Sequence, residues 1–473
     1  MSRTDSLIEK DQVIKVKNPA TGELVAEVNK GRKEDAIAAI ESAKVAFATW
    51  SRFTGLERSQ ILEKIAQRIL DDKDRLAQLI TKEMGKPLVN AYYEVESSAS
   101  YFKWFAEEAR RVYGEQIPSS VRNKRLLAIK QPIGVIAAIT PWNFPLQMLS
   151  RKLAPALAAG CTGLIRPSNQ SPLSALELMK IFVECGVPDG VVNIVIGAAE
   201  EITDVWLSSP DVKKISFTGS TEVGIELIKK SADTVKKVSM ELGGHAPFIV
   251  FEDADLDLAV EGAINIKFGA SGQQCVCANR IYVHASVHDE FVSRFTEKVK
   301  QLPVGNGADI HNRVGPLINQ SALDKMEEQV QDAIEKGAVL LHGGKRCTAD
   351  HLKQGNFFEP TVLGEVDDTM LITKEETFGP IAPIMKFEKE EEVLYRANNT
   401  NFGLAAYFYT NDLSRSHRVF ETLEYGIIGI NDAAPFTVQA PFGGWKLSGL
   451  GIEGAHGIDE YLETKVGSFL MSI

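Results

Sequence analysis

Gly269-Ala270-Ser271-Gly272 runs into Gln273-Gln274-Cys275, a small-residue approach that lets backbone come close to a ligand beside a nucleophilic sulfur. A thiolate attacks carbonyl carbon well, and at a loop-to-helix junction the helix dipole would lower its pKa. Most cysteines are merely small buried side chains, so this one needs company. Met240-Glu241-Leu242-Gly243-Gly244 supplies a carboxylate between apolar residues at the end of an expected strand. Desolvation there would raise its pKa and suit it to general-base work; a solvated carboxylate beside a Gly-rich turn is the plainer alternative. Thr140-Pro141-Trp142-Asn143-Phe144-Pro145 holds an amide between two prolines, a preorganised oxyanion donor or simply a rigid turn with Trp142 and Phe144 packed in the core. Phe217 to Gly224 (FTGSTEVG) stands between an expected strand and helix, where helix N-terminal N–H groups can face a pyrophosphate. It is not G-x-G-x-x-G, and Gly-Ser-Thr alone reads equally as an N-cap. Glu375-Glu376-Thr377-Phe378-Gly379-Pro380 puts acids and an aromatic before a turn, and by itself says little.

These residues need elements to hold them. Ile37, Ile40, Ala43, Phe47 and Trp50 recur at helical spacing over 34–50. A second helical segment runs over about 57–84, with Ile61, Leu62, Ile65, Ile69 and Leu70 on one face, and a third over about 91–113. From Pro132 short apolar runs alternate with helical stretches. Strands are expected at 135–139, 162–165, 191–196, 214–217 and 238–242, with helices at about 146–159, 171–185, 200–207 and 221–232. That alternation means a parallel, doubly wound sheet, whose ligands bind at the carboxyl ends of the strands. A second α/β block follows from Pro247 to about Gly429, with strands expected at 248–251, 280–283, 381–387 and 405–409. The polar, alternating stretch 115–130 reads as a projecting hairpin, and the tail after Gly454 shows no core role; both are candidates for subunit contact.

The 473 residues exceed what one hydrophobic core usually supports, so two or three subdomains are expected. Net charge is −11, with Lys and Arg scattered, which argues against nucleic acid or an anionic membrane as the main partner. Residues 1–17 lack the apolar core of a signal peptide, and no apolar run could span a bilayer. Five cysteines, Cys161, Cys185, Cys275, Cys277 and Cys347, form neither a disulfide framework nor a zinc-site spacing. A reducing cytoplasm is the simple expectation.

Taken together the segments are far more specific than any one. From about Asn18 onward the chain resembles the aldehyde dehydrogenase superfamily, through TPWNFP, ALAAGC, FTGSTEVG, MELGG, GQQCVCANR, EETFGP and APFGGWKLSGLGIEG in that order. Within it the resemblance is to succinate-semialdehyde dehydrogenases, through GQxCVCANR and SGLGxEG…GIDEYLETK. The resemblance implies an α/β fold: a doubly wound parallel-sheet cofactor domain over 1–114 and 133–245, an α/β catalytic domain over 246–445, and a small β oligomerisation element over 115–132 and 446–473, assembled as a homodimer or homotetramer. It implies an NAD(P)-dependent oxidation of an aldehyde to the acid. Cys275 would be the nucleophile, Asn143 with the Cys275 N–H the oxyanion hole, and Glu241 the base for water that hydrolyses the thioester. Relatives that pass the acyl group to coenzyme A lack this glutamate. For the cofactor it implies Thr140, Pro141 and Trp142 beside it, Gly219, Ser220, Val223 and Gly224 at the pyrophosphate turn, and Leu242 nearby. Lys152, Arg166, Ser168 and Asn169 would lie at the adenosine ribose, Glu376 on the nicotinamide ribose and Phe378 against the nicotinamide.

Asn169 stands where NAD-preferring relatives often carry a glutamate, and Arg166 replaces the usual lysine. With Ser168, these favour NADP at least as much as NAD. Arg151 matches a substrate-carboxylate arginine, but the second such position is Gly269 and the neighbouring loop offers only Thr437. Succinic semialdehyde is therefore the first substrate expected, with another semialdehyde or a longer, bulkier or uncharged aldehyde as the alternative. Cys277, two residues from Cys275, is either a redox partner or a packed small side chain. The competing class, a non-catalytic cofactor-binding relative, sits badly with the presence of nucleophile, base and oxyanion residue together.

Overall fold

Strand Val135–Ile139 (VIAAI) is buried along its whole length, as an apolar run in the middle of a helix-covered parallel sheet must be. In this computed structural model, which describes residues 13–472, it lies between Thr162–Arg166 and Val212–Thr218. The six-stranded sheet runs Gly449–Leu450, Lys237–Glu241, Val212–Thr218, Val135–Ile139, Thr162–Arg166, Val192–Ile194. All neighbours are parallel except the short edge strand Gly449–Leu450, which pairs antiparallel with Glu241 and Met240. The chain leaves Val135–Ile139 toward one edge and returns to build the other. Its carboxyl end is thus a topological switch point, and the loops after 139 and 218 open there side by side.

A seven-stranded sheet forms the second block, in the order Val339–His342, Thr361–Gly364, Ile381–Phe387, Ala278–His284, Ala246–Val250, Ala405–Tyr409, Ile427–Ile430. Only its first pair is antiparallel. The hairpin expected at 115–130 is present as Glu115–Ile117 and Lys124–Pro132. Strand Leu462–Leu470 joins its free side, in register from Leu462↔Pro132 to Leu470↔Lys124.

Several expectations change. The segment 57–84 is two helices, Gly55–Asp71 and Lys73–Met84, because Asp72 leaves helical geometry and its carboxylate takes Arg68 and Arg75. Ile37 and Leu70 are exposed rather than on the buried stripes. The strands at 339–342, 361–364 and 427–430 and the hairpin Val13–Lys17 with Leu24–Asn29 carried no signal strong enough to be read. The tail does have a core role: Ile458, Tyr461 and Leu462 are buried with the helices that cover the first sheet. Segment 446–473 is also divided, its start completing that sheet and its end the three-stranded one. The polar stretch Met1–Gln12, part of the signal-peptide argument, lies outside the described residues. No helix among the described residues is long and apolar enough to cross a membrane.

Candidate active site

The two sheets meet across a cavity of about 410 Å³ into which Cys275, Asn143, Arg151 and Glu376 open. Cys275 lies in a turn between a short 3-10 segment, Gly269–Gly272, and strand Ala278–His284, not at a helix N-terminus. The expected dipole activation is therefore absent. The approach to it is strained instead: Ala270 and Ser271 both adopt left-handed backbone, at φ 49° and 59°, each costing on the order of 1 kcal/mol. Buried hydrogen bonds hold that geometry. Ser271 Oγ donates to the Gly315 carbonyl (3.1 Å) and accepts from its N–H (2.8 Å). Gln273 Nε2 donates to Pro316 O and its Oε1 accepts from Ile318 N.

Two glycines let this loop come close. A Cβ on Gly244 would sit 2.0 Å from the Cys275 carbonyl oxygen, and one on Gly272, at φ +74°, would sit 2.2 Å from Gly379 O. The first contact sets the distance between the nucleophile loop and the end of strand Lys237–Glu241. It brings the Cys275 thiol to Glu241, donating to Oε1 at 3.0 Å. Glu241 is nearly fully buried, and its other oxygen has no partner among the described residues. Burial and the nearby Glu453 carboxylate push its pKa up. Burial and Glu241 together raise the Cys275 thiol well above its usual value, so the resting proton sits on sulfur.

Asn143 Nδ2 donates to Gln273 O at 3.0 Å, leaving its second N–H available. The Cys275 N–H makes no hydrogen bond among the described residues. Both donors lie at the nucleophile loop. Trp142 and Phe144 are half-buried and line the cavity; Trp142 also packs against the helical core and meets Phe378 edge to face at 5.7 Å. Arg151 is buried between the rings of Phe442 (4.0 Å) and Tyr101 (5.4 Å), 3.6 Å from Glu453. Burial opposes its charge, yet Tyr101 and Glu453 hold the guanidinium protonated above its ordinary range. Its Nε and Nη1 are buried and make no hydrogen bond.

On the other side of the cavity, Ser220 caps helix Thr221–Ala232, accepting from Val223 N at 3.4 Å. Val223 is exposed, while a Cβ on Gly224 would strike buried Leu242 at 2.3 Å. Glu376 accepts from Gly244 N at 2.9 Å, and burial pushes its carboxyl up to about 7. At the end of strand Thr162–Arg166, Arg166 Nη2 donates to Gly197 O (3.1 Å), while Arg166 Nε and Asn169 Oδ1 are buried with no partner. Ser168 Oγ caps Gln170 N. Thr140 is buried and its N–H donates to Arg166 O, tying this strand end to the Pro141 loop. Unsatisfied polar atoms at a strand's carboxyl end, beside a capped helix N-terminus, fit a dinucleotide.

Two placements differ from expectation. Lys152 is fully buried, donating to Thr218 Oγ1 (2.7 Å), just before the Gly219 turn, and to Glu453 Oε1 (2.6 Å), and it makes no hydrogen bond to Arg166, Ser168 or Asn169. Thr437 is exposed; its neighbour Phe436 lines the cavity instead. Glu453, which joins Arg151 and Lys152 to the surroundings of Glu241, was missed. Its only sequence signal was a single acid between Ile452 and Gly454. Cys277 is fully buried, facing the Lys267 carbonyl at 3.5 Å, and all five cysteines are free.

Comparison with known proteins gives one consistent result. The model of the aldehyde dehydrogenase family matches residues 7–466. An NADP(+) succinate-semialdehyde dehydrogenase of Escherichia coli is 50% identical over 455 residues, covering 96% of this chain and 94% of that protein. A glutarate-semialdehyde dehydrogenase of Pseudomonas putida is equally similar, 50% over 455 residues with 96% and 94% covered. A crystal structure described as an NADP-dependent enzyme of E. coli superposes with a TM-score of 0.95 at 49% identity, covering 97% of this chain and 95% of that one.

Proposed function

The chain belongs to the aldehyde dehydrogenase family and oxidises an aldehyde with NADP or NAD; we propose that it does so through a thioester on Cys275, released by hydrolysis as the free acid. The 3.0 Å contact between Cys275 Sγ and Glu241 Oε1 carries this reading. With the thiol raised and no helix dipole beside it, the sulfur needs an acceptor for its proton, and the raised carboxylate of Glu241 is within reach. The sulfur adds to the aldehyde carbon, and the oxyanion that forms takes the free N–H of Asn143 and the Cys275 N–H. The nicotinamide, when bound, accepts the hydride lost as the adduct collapses to the thioester. Glu241, once it has passed the thiol's proton to solvent, removes a proton from water attacking the acyl carbon; the C–S bond breaks, the sulfur takes that proton back and the acid leaves.

Arg166, Ser168 and Asn169 would hold the adenosine ribose. A carboxylate at 169 would repel a 2′-phosphate, and the buried, unpartnered Arg166 Nε suits an anion, so NADP is favoured over NAD. Gly219, Ser220, Val223 and Gly224 would face the pyrophosphate, Glu376 the nicotinamide ribose, and Trp142 and Phe378 the nicotinamide. Arg151, which lines the chamber and pairs with Glu453 at 3.6 Å without a hydrogen bond, makes succinic semialdehyde the first substrate. A longer semialdehyde is the second reading, favoured by the open space beside Gly269, where a Cβ would meet only Gln274 Nε2, at 3.4 Å. We take 115–132 with the end of the tail as the subunit contact of a dimer or tetramer. A reducing, cytoplasmic setting suits a free reactive thiol.

Steady-state kinetics on succinic semialdehyde, a one-carbon-longer semialdehyde and simple alkyl aldehydes, with each cofactor, test the reading. kcat/KM is expected to be highest for a semialdehyde and to drop when Arg151 becomes Met. A preference for uncharged aldehydes that is unaltered in Arg151→Met would refute the substrate assignment.

A further inference from the structure

Lys86 and Glu94 form an ion pair in the interior, with both side chains out of contact with solvent. Taking two charges out of water is costly, and apolar side chains of like volume would pack the same space at least as stably. The pair calls for a reason other than stability, and its hydrogen bonds point to one.

Glu94 stands on helix Leu88–Glu108. Its Oε2 takes Lys86 Nζ, and its Oε1 accepts from Leu146 N (2.9 Å) and Gln147 N (3.2 Å). Those N–H groups open helix Gln147–Ala159, whose own N-cap residue, Leu146, offers no side-chain acceptor. Asn143 stands in the same loop, just ahead of them. Lys86 Nζ also lies 3.3 Å from the centre of the Phe144 ring, so the pair grips this loop on both sides of Pro145. Neither Lys86 nor Glu94 lines the chamber.

The other end of the pair is rooted under the nucleophile. Gly85 closes helix Lys73–Met84 at φ +83°, and a Cβ there would strike Pro316 Cγ at 2.5 Å. A Cβ on Gly315 would in turn sit 2.4 Å from Gly85 O. The backbone that carries Lys86 is thus packed directly on Gly315 and Pro316, and the segment they begin holds Ser271 and Gln273 ahead of Cys275. Asn143 Nδ2 closes the circuit on Gln273 O at 3.0 Å.

We propose that the Lys86–Glu94 pair positions the oxyanion hole, fixing the loop that carries Asn143 at a set distance from the loop that carries the Cys275 N–H. Glu94 holds the first loop, and Lys86 ties it to the support of the second. Both are positioning residues, and the inference rests on Asn143 and the Cys275 N–H being the oxyanion donors. Breaking the tie leaves both donors present but out of line, and a misplacement of about 1 Å costs up to about 10²-fold.

Rapid mixing of the cofactor complex with excess aldehyde reads the rate of reduced-cofactor formation, while cofactor titration counts folded sites. Glu94→Gln turns an amide donor toward either Lys86 or the Leu146 and Gln147 N–H groups. It is expected to slow that rate about ten- to a hundredfold per folded site, with cofactor affinity unchanged. In an Asn143→Ala background the same substitution should cost no more than about twofold, since the donor it aligns is already gone. Lys86→Met combined with Glu94→Leu removes the tie without leaving a buried charge, and should slow the reaction as Glu94→Gln does. An equal loss from Glu94→Gln in both backgrounds, a wild-type rate in either variant, or failure of both to give folded sites would overturn the proposal. An Asn143→Ala enzyme as fast as wild type would instead sink the oxyanion reading beneath it, so the two failures are distinguishable.

Discussion

Replacing Glu241 by Gln separates the two half-reactions. Gln keeps the volume of a buried side chain whose Oε2 has no partner, and its amide oxygen can still accept from Cys275. What is lost is a base. Removing a positioned general base costs about 10²- to 10⁴-fold, or roughly 3 to 5 kcal/mol of barrier. Hydrolysis should bear all of it, because among the described residues no other carboxylate is within hydrogen-bond reach of the sulfur. Acylation should be slowed too, since the raised thiol loses its proton acceptor, but only below the pH at which Cys275 ionises unaided. Rapid mixing with aldehyde and cofactor is expected to show a stoichiometric burst of reduced cofactor whose rate recovers as pH rises, followed by a steady state that stays slow at every pH. The sign for wild type follows from the raised Glu241: the base works deprotonated, so hydrolysis rises as pH climbs through that raised pKa. The variant should lose this limb. A steady-state rate like that of wild type, or a missing burst at high pH, would refute the assignment of Glu241.

Cys275→Ala should abolish hydride transfer with cofactor binding near normal, and Cys277→Ala should remain active; peroxide inactivation reversed by dithiothreitol in wild type and absent from Cys277→Ala would reveal a bridge between the two thiols. Asn169→Glu should weaken NADP against NAD: like charges about 4 Å apart cost roughly 1 kcal/mol in water and 4 at an effective dielectric of 20, hence about fivefold to nearly a thousandfold in relative kcat/KM. An unchanged ratio would show that this loop does not meet the 2′ position. Buried Glu83 accepts from Leu173 N (2.7 Å) and Ser174 N (3.0 Å) at the start of helix Leu173–Glu184, and burial raises it to about 7. Its favourable contribution is complete in acid and is lost as pH rises through about 7, worth roughly 3 kcal/mol. Glu83→Gln should flatten the urea-unfolding stability across that range.

The central strands, and the candidate residues at their ends, were legible because each is encoded locally. An apolar run followed by a turn names a strand end, and Asn143, Glu241 and Ser220 all stand just beyond or at one. The edge strand Val339–His342 was not legible: Val339 and Leu340 are exposed, so it lacks the apolar run that marks its buried neighbours. Lys152 turns away from the chamber for a geometric reason. Successive helical residues point about 100° apart, so when Arg151 faces the chamber Lys152 must face elsewhere, and it turns to Thr218 and Glu453. Glu453 lies 301 residues from Lys152, a separation at which no spacing argument operates.

The same distinction explains why the expected helix-dipole activation of Cys275 is absent from the structure. A cysteine after a run of small residues can be recognised locally, but what sets its proton affinity is the chain that packs on it. Here that chain is the end of a strand in the other sheet, admitted by Gly244, and edged by Gly449–Leu450, with Ser448 accepting from Leu242 N at 2.9 Å. The nucleophile loop, the base and the tail are therefore one packed junction. Its strain is carried by Ala270 and Ser271 and held by the Gly315–Ile318 segment, not relieved by any helix end. An arrangement that raises both the thiol and the carboxylate keeps a single proton between them, ready to move as substrate arrives. On the proposed mechanism, that shared proton, rather than a standing thiolate, is what the junction of the two sheets would supply to the chemistry.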